Sequence, residues 1–227
     1  MDMVKQKAFF FYHGITPGVG TLARNDFEGW ERVNLYAFGV DMDALQKDLE
    51  ETVEEDLIRD GLLGAHSAQS RVIIAGGVVF KGITLLAGEG HDAEELLSEV
   101  EKGISDFRVV TADQFTRAEG ISPLEVYCLS YQGKVIGVSR VVFFEYATQF
   151  SMAGICRDQD HHLVDELFKD LNKLNSFMTV PNPLRTDEKD QRVELNMFMI
   201  RFPLKEELQA EFVAAINEVP GLDFYTA

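Results

Sequence analysis

Two short stretches of this 227-residue sequence contain the residue types that bind metal ions. Asp41 and Asp43 are separated by one residue, and residues 158–162 read Asp-Gln-Asp-His-His. Carboxylates and imidazoles are ligands for divalent metals, and a pair of such ions can activate water for phosphoester hydrolysis. One hypothesis is therefore a metal-dependent hydrolase of phosphorylated or nucleotide substrates. Its ligands would be Asp41, Asp43, Asp158, Asp160, His161 and His162.

The DMDA segment at residues 41–44 and the DHH triplet at residues 160–162 resemble motifs of the DHH phosphoesterases. That resemblance implies a pair of Mn²⁺ or Mg²⁺ ions held by the same side chains. The sequence departs from the family's pattern, because it lacks a His-Asn-Pro segment before DxD and a glycine-rich GGGH-type segment downstream. Both acidic stretches also stand at the start of a predicted helix, where Asp caps free N–H groups. We interpret them as helix caps and predict no cofactor.

The densest charge lies in a predicted amphipathic helix from Asp41 to Asp60. Leu45, Leu49, Val53 and Leu57 recur every four residues and predict one buried stripe. Nine acids and two bases give this segment 9 − 2, or a net −7 of the chain's −17. Its acidic face is the predicted partner-binding surface. The residues predicted to bind the partner are Asp48, Glu50, Glu51, Glu54, Glu55 and Asp56.

The overall composition narrows the class of protein. Thirty-eight acids against 21 bases produce a field that repels nucleic-acid phosphates and anionic lipids. The apolar runs are far shorter than the roughly 20 residues of a membrane span. The sequence has no GxSxG nucleophile motif, and Cys128 and Cys156 lie in or beside apolar segments, where a thiol is inert. We predict a cytoplasmic, non-enzymatic protein with reduced cysteines and no direct binding to nucleic acid or membranes.

These features favour a protein that acts by binding a basic surface of another protein. The most specific form of this hypothesis is an inhibitor, either an immunity protein for a toxin or an anti-defence protein that blocks a nuclease-like target. Acidic side chains increase the rate of encounter with a basic partner. A further alternative is a structural or assembly protein that presents an exposed sheet edge. The sequence leaves monomer and homodimer open.

The pattern of apolar segments predicts an α+β protein built from two similar halves, residues 1–120 and 121–227, or one continuous domain. Each half is predicted as β-β-α-β-α-β, with helices packed on a mixed sheet. The helix stripes of the two halves match at an offset of 163 − 45, or 118 residues. This match predicts a tandem duplication with pseudo-two-fold symmetry. Two unrelated halves with similar apolar spacing remain the alternative.

Glycine and proline mark the predicted turns. The segment from His13 to Gly20 holds three glycines and a proline after an apolar run, and we predict a turn there rather than a phosphate-binding loop. Gly76 and Gly77 separate two β-rich segments and predict a hairpin.

Overall fold

The computed structural model describes residues 5–26, 28–64, 69–75, 78–110, 116–117, 126–144, 148–190 and 195–226. It confirms the α+β class. The chain divides into two compact units, Met1–Ile74 with Val79–Thr111 and Ala112–Ala227 with Ala75–Val78. The boundary predicted after residue 120 falls outside the described residues and stays a prediction.

The first unit is an antiparallel sheet with helices on one face. Its strands are β1 (Lys5–His13), β2 (Thr16–Asn25), β3 (Trp30–Phe38), β4 (Gln69–Ala75), β5 (Val78–Leu86) and β6 (Phe107–Val110). They lie in the order β4-β5-β3-β2-β1-β6. After β3 the chain forms α1 (Gly39–Asp48), a π-helical turn (Leu49–Val53) and α2 (Glu54–Arg59). Helix α3 (Ala93–Gly103) connects β5 to β6.

The second unit has the same kind of layered structure. Its strands are β7 (Thr116–Arg117), β8 (Val126–Tyr131), β9 (Lys134–Phe144), β10 (Gln149–Arg157), β11 (Leu184–Asp190), β12 (Leu195–Pro203) and β13 (Leu222–Thr226). They lie in the order β11-β12-β10-β9-β8-β13-β7. Helix α4 (His161–Leu171) follows β10 after a 3-10 turn (Asp158–Asp160), and α5 (Gln209–Asn217) connects β12 to β13.

The two units share one connectivity. Apart from β7, each has three consecutive strands, a helical segment, two strands, a second helix and a last strand beside the first. The order β11-β12-β10-β9-β8-β13 repeats the order β4-β5-β3-β2-β1-β6, element for element. Apart from β7, each unit therefore has two more strands than the predicted β-β-α-β-α-β.

The prediction of a mixed sheet is wrong, since every described strand pairing is antiparallel. The physical reason is that the strands before and after each helix are not neighbours in the sheet. After the first helical segment, β4 joins the sheet with β5 between it and β3, so that the two strands joined by a helix never pair. The same is true of β10 and β11, which are separated by β12.

The predicted turn from His13 to Gly20 is also wrong in extent, because β2 already begins at residue 16. Gly18 and Gly20 lie within this strand, opposite Phe11 and Phe9 of β1. A Cβ atom at Gly18 would lie 2.1 Å from a ring carbon of Phe11, and one at Gly20 would lie 2.2 Å from Phe9. Glycine in β2 therefore makes room for aromatic rings rather than forming a turn.

Each sheet packs its helices through its own apolar core. In the first unit, buried residues of β3 and β5 contact the inner faces of α1 to α3. In the second, buried residues of β8, β10 and β12 contact α4 and α5. No helix in the described ranges is long and apolar enough to cross a bilayer.

Both cysteines are buried thiols outside any disulfide, as predicted. Cys128 on β8 lies opposite Val138 on β9, which lies opposite Ile155 on β10, next to Cys156. Two strand spacings amount to roughly 10 Å, beyond the Cα separation of about 7 Å at which a disulfide can form. Burial also raises the pKa of the Cys156 thiol. Both side chains therefore act as core residues.

Candidate functional site

The predicted acidic helix is present, with an interruption in its middle. On a regular α-helix, residues four positions apart are offset by about 40° around the axis. The three steps from Leu45 to Leu57 would therefore displace the stripe by roughly 120°. The wider π-helical turn, Leu49–Val53, takes back much of this rotation. Leu45, Leu49, Val53 and Leu57 are consequently all buried, with at most 7% exposure. The predicted stripe is confirmed, and the distortion follows from its spacing.

The π-helical turn is packed against the end of α3. Val53 has φ −129° and ψ −20°, which departs from helical geometry. A Cβ atom at Gly103 would lie 2.0 Å from Val53 Cγ1, so glycine is needed for this approach. The acidic helix and α3 thus form one layer on the sheet of the first unit.

Three of the six predicted partner-binding acids have a cationic or histidine neighbour. Asp48 Oδ2 lies 2.7 Å from His13 Nε2, Glu51 Oε1 lies 3.8 Å from Lys47 Nζ, and Asp56 Oδ1 lies 2.6 Å from Arg59 Nη1. Asp56, with a smaller effect from Asp60, raises the pKa of Arg59. The pairs of Glu51 and Asp56 are largely exposed, and exposed ion pairs stabilise a protein by only about 0–1 kcal/mol, whereas the His13 side chain is only 12% exposed.

The other three acids, Glu50, Glu54 and Glu55, form no ion pair with any described residue. Glu50 and Glu55 are exposed and Glu54 is half-buried. Glu50 accepts a hydrogen bond of 2.9 Å from the neutral amide of Gln46. Like charges four residues apart, such as Glu50 and Glu54, destabilise a helix by about 0.2–0.5 kcal/mol. We therefore expect these carboxylates to reduce stability, and they remain available to a partner.

Helix α3 adds further acids to the same layer. Asp92 caps it by accepting a hydrogen bond of 2.7 Å from Glu95 N, and Glu94 and Glu95 are exposed in its first turn. Residues 39–60 and 92–106 together contain 15 acids and three bases, a net charge of 3 − 15 = −12. The sequence analysis did not predict this combined charge, because the two segments are distant in the chain. The repeated acids of α3 could have indicated that this helix is also strongly acidic.

The capping interpretation of Asp41 and Asp43 is wrong, because the helix begins earlier, at Gly39. Phe38 is the N-cap residue, and its side chain forms no capping hydrogen bond. Asp43 instead binds Lys81, whose Nζ lies 2.6 Å from Asp43 Oδ2. The side chain of Asp41 lies outside the described residues.

Asp160 occupies the N-cap position of α4, as predicted, but its side chain forms no capping hydrogen bond. Asp160 is fully buried and accepts a hydrogen bond of 2.5 Å from Arg157 Nε, while Lys134 lies against its other oxygen. Asp158 accepts a hydrogen bond of 2.8 Å from Asn196 Nδ2. Both acids therefore hold the start of α4 against neighbouring strands.

The two histidines of the DHH triplet differ in their surroundings. Arg185 Nη2 donates to His161 Nε2 at 2.8 Å, and because a guanidinium has no acceptor, this nitrogen of His161 is the acceptor. Arg185 also pairs with Asp165 and Asp187. His162 is exposed, with Nδ1 3.0 Å from the carbonyl oxygen of Gln159. His161 thus belongs to an ion-pair cluster that joins α4 to β11.

Within the described part of the chain, no group of three or more His, Cys, Asp or Glu side chains is arranged to hold a metal ion. Asp41 and Asp43 belong to the first unit, whereas Asp158, Asp160, His161 and His162 belong to the second. The hydrolase alternative requires these two sets to converge on one metal site.

Comparison with known proteins provides no relative from which a function could be transferred. No protein-family model matches the chain, and no curated protein or solved structure matches it.

Proposed function

We propose that this protein is a non-enzymatic, cytoplasmic binding protein whose acidic helical layer engages a basic surface of a protein partner. Its most specific form is an inhibitor of the immunity or anti-defence type, acting on a nuclease-like target. The observation that carries the proposal is that Glu50, Glu54 and Glu55 have no ion pair with a described residue, although they lie on a helix that is already strongly acidic.

The charge distribution of the first unit supports this function. Repulsion between neighbouring carboxylates reduces the stability of the helix. A basic partner removes that repulsion on binding, so association becomes more favourable as the charges meet. The same field accelerates encounter, and the acceleration falls steeply with ionic strength. Cytoplasmic location is supported by the two buried cysteines, which form no disulfide.

Affinity purification from the native host at rising salt concentration tests the proposal. We expect the captured partner to be basic and to be lost as NaCl rises from 50 to 500 mM, since screening weakens exposed charge pairs. The triple substitution Glu50→Lys, Glu54→Lys and Glu55→Lys should abolish capture. Glu206→Lys, Glu207→Lys and Glu211→Lys form a matched control, because these acids are also exposed and lie at α5 of the second unit. Capture that is unaffected by salt and by the first triple substitution would contradict the proposal.

We further propose that the two units arose by tandem duplication. The shared order of elements and the offset of 118 residues between Leu45 and Leu163 support it. Only one copy would then have acquired the concentrated acidic face. In α4, by contrast, Asp170 pairs with Lys173 and Asp165 pairs with Arg185.

The two alternative functions have less support from the described side chains. A hydrolase would need Asp43 and Asp160 as ligands, yet both are engaged by cations. A shift in melting temperature with Mn²⁺ that is lost in Asp158→Asn would favour it. An assembly protein would need an open sheet edge, but the edge strand β11 has the sequence LRTDEKD, and charged residues disfavour edge pairing.

A further inference from the structure

A groove lies between α3 and strands β1 and β2 of the first unit. It consists of two adjoining hollows of about 330 and 240 Å³, which share Lys7, Leu22 and Glu94 among their described lining residues. Phe9, Leu22 and Val109 form its apolar floor and are only partly buried, although they pack against the core. The groove therefore leaves apolar surface accessible beside the acidic layer.

One ion pair crosses this groove. Lys7 Nζ on β1 lies 2.9 Å from Glu94 Oε1 on α3, and the two side chains are 72% and 68% exposed. A pair that is this exposed contributes little stability, so a ligand can open it easily. Once it is open, the two hollows together have the size of a site that accommodates a ligand group.

The charged residues around the groove indicate the chemistry of its occupant. Four acids line it, against two bases, Lys7 and Arg24. Arg24 Nη1 already lies 3.2 Å from Glu31 Oε1, and Lys7 pairs with Glu94. The excess of negative charge over an apolar floor favours an apolar group that is flanked by cations. The four acids are Glu31, Asp92, Glu94 and Glu101.

We propose that this groove is the anchor site for the protein partner and that it takes an apolar side chain flanked by Lys or Arg. The inference rests on the proposed function and adds a source of specificity to it. Helix α3 borders the groove on one side and contacts the π-helical turn through Gly103 on the other. A partner that extends from the acidic layer across α3 would meet the groove, where one buried side chain would supply much of the affinity.

Two five-residue peptides of equal charge, Lys-Leu-Lys-Leu-Lys and Lys-Ser-Lys-Ser-Lys, provide the test on the full chain. Binding is followed by NMR of the methyl groups of Leu22, Leu97 and Val109 and of the amides of Glu50 and Glu54. We expect both peptides to shift the amides in a salt-dependent manner. Only the leucine peptide should shift the methyl groups, and burial of its side chain should make it bind at least about tenfold more tightly.

The outcomes separate this inference from the proposed function. Equal affinities, or a leucine peptide that leaves the methyl groups unshifted, would overturn the groove proposal while the acidic-face proposal stands. If other residues of this chain filled the groove, the leucine peptide would likewise leave the methyl groups unshifted, and the groove proposal would be overturned. Methyl shifts with the leucine peptide but no amide shifts with either peptide would support a groove and contradict the acidic-face proposal.

Two variants that each add one positive charge complete the test. Ser98 lines the groove, so Ser98→Arg places a long, charged side chain inside it. Thr52→Arg adds the same side chain on the exposed surface of the π-helical turn. Ser98→Arg should bring the affinity ratio of the two peptides close to one. Thr52→Arg should weaken both peptides alike and leave the ratio unchanged. A ratio that survives Ser98→Arg would overturn the proposal.

Discussion

Among single residues, Asp160 and Asp56 can be compared because they form similar ion pairs in opposite environments. Each pairs with an arginine three positions away in the chain, Arg157 in one case and Arg59 in the other. Asp160 is 0% exposed, whereas the side chain of Asp56 is 63% exposed. Removing one partner of a buried ion pair leaves the other charge uncompensated, but an exposed charge is solvated.

We therefore expect Asp160→Ala to lower the free energy of unfolding by about 3 kcal/mol, near the lower end for buried pairs because Arg157 and Lys134 retain some solvent contact. Asp56→Ala should change it by less than about 1 kcal/mol. Urea unfolding followed by circular dichroism measures both values. Equal effects of the two substitutions would show that burial does not distinguish these carboxylates.

Asp170 gives a prediction about pH. The hydrogen bond from Lys173, at 2.6 Å, and then that from the Tyr131 hydroxyl lower the pKa of Asp170. A carboxyl whose pKa is lower in the folded state adds stability above its unfolded pKa of about 4, and this stability is lost as pH falls through the folded pKa. Asp170→Asn should therefore reduce the unfolding free energy at pH 7, and the difference from wild type should shrink toward pH 3. Urea titrations at both pH values test this, and a constant difference would contradict it.

Burial of the Tyr131 hydroxyl, with a further effect from Asp170, raises the pKa of Tyr131. The sign is opposite for this group, because a raised pKa adds stability that is present below the unfolded value of about 10 and is lost as pH rises above it. The stability difference between wild type and Tyr131→Phe should thus shrink above pH 10, and a difference that grows there would refute the assignment.

At the scale of elements, the π-helical turn is the most informative feature. Deleting Thr52, an exposed residue within it, would change the spacing of the buried stripe from 4-4-4 to 4-3-4. That spacing fits a regular α-helix. We expect the deletion to convert the segment to α-helix, with the unfolding free energy within about 1 kcal/mol of wild type. Circular dichroism and urea unfolding test this.

Deletion of Ala44, which is exposed in α1, is the control. It would rotate the stripe by about 100° relative to the preceding strand, because each residue of an α-helix advances by that angle. The free energy of unfolding should fall by the contribution of several buried side chains, each about 1.5–3 kcal/mol. If both deletions unfold the protein equally, the π-helical turn is required for folding rather than tolerated by it.

Local patterns predicted the helices well, because the stripe that defines each one lies within a single segment. The sheets were harder to predict. Strand β2 was missed since Gly18 and Gly20 resemble turn residues until the opposite rings of Phe11 and Phe9 are known. The antiparallel order depends on pairings between distant strands, which no local pattern records. The groove likewise depends on Lys7 and Glu94, which lie 87 positions apart.

For the whole molecule, the net charge of −17 makes electrostatic repulsion a general property of the fold. Some of the 38 acids have a neighbouring cation, as in the pairs of Asp43 with Lys81 and Asp56 with Arg59. Glu50, Glu54 and Glu55 have no such neighbour in the described structure. Acids that serve to bind a partner should therefore lower the stability of the free protein, whereas acids that form ion pairs within the fold should raise it.

The variant Glu50→Gln, Glu54→Gln, Glu55→Gln separates these two roles. We expect its unfolding free energy to exceed that of wild type by about 0.5–1 kcal/mol at low salt, because like-charge neighbours are removed. The gain should diminish at 0.5 M NaCl, where screening already suppresses the repulsion. The control is Asp43→Asn, Glu51→Gln, Asp56→Asn, which removes three paired acids and should leave stability unchanged or lower it. Urea titrations at both salt concentrations measure these differences. A low-salt loss of stability in the first variant would mean that its three carboxylates stabilise the fold, and the proposed binding function would lose its main support.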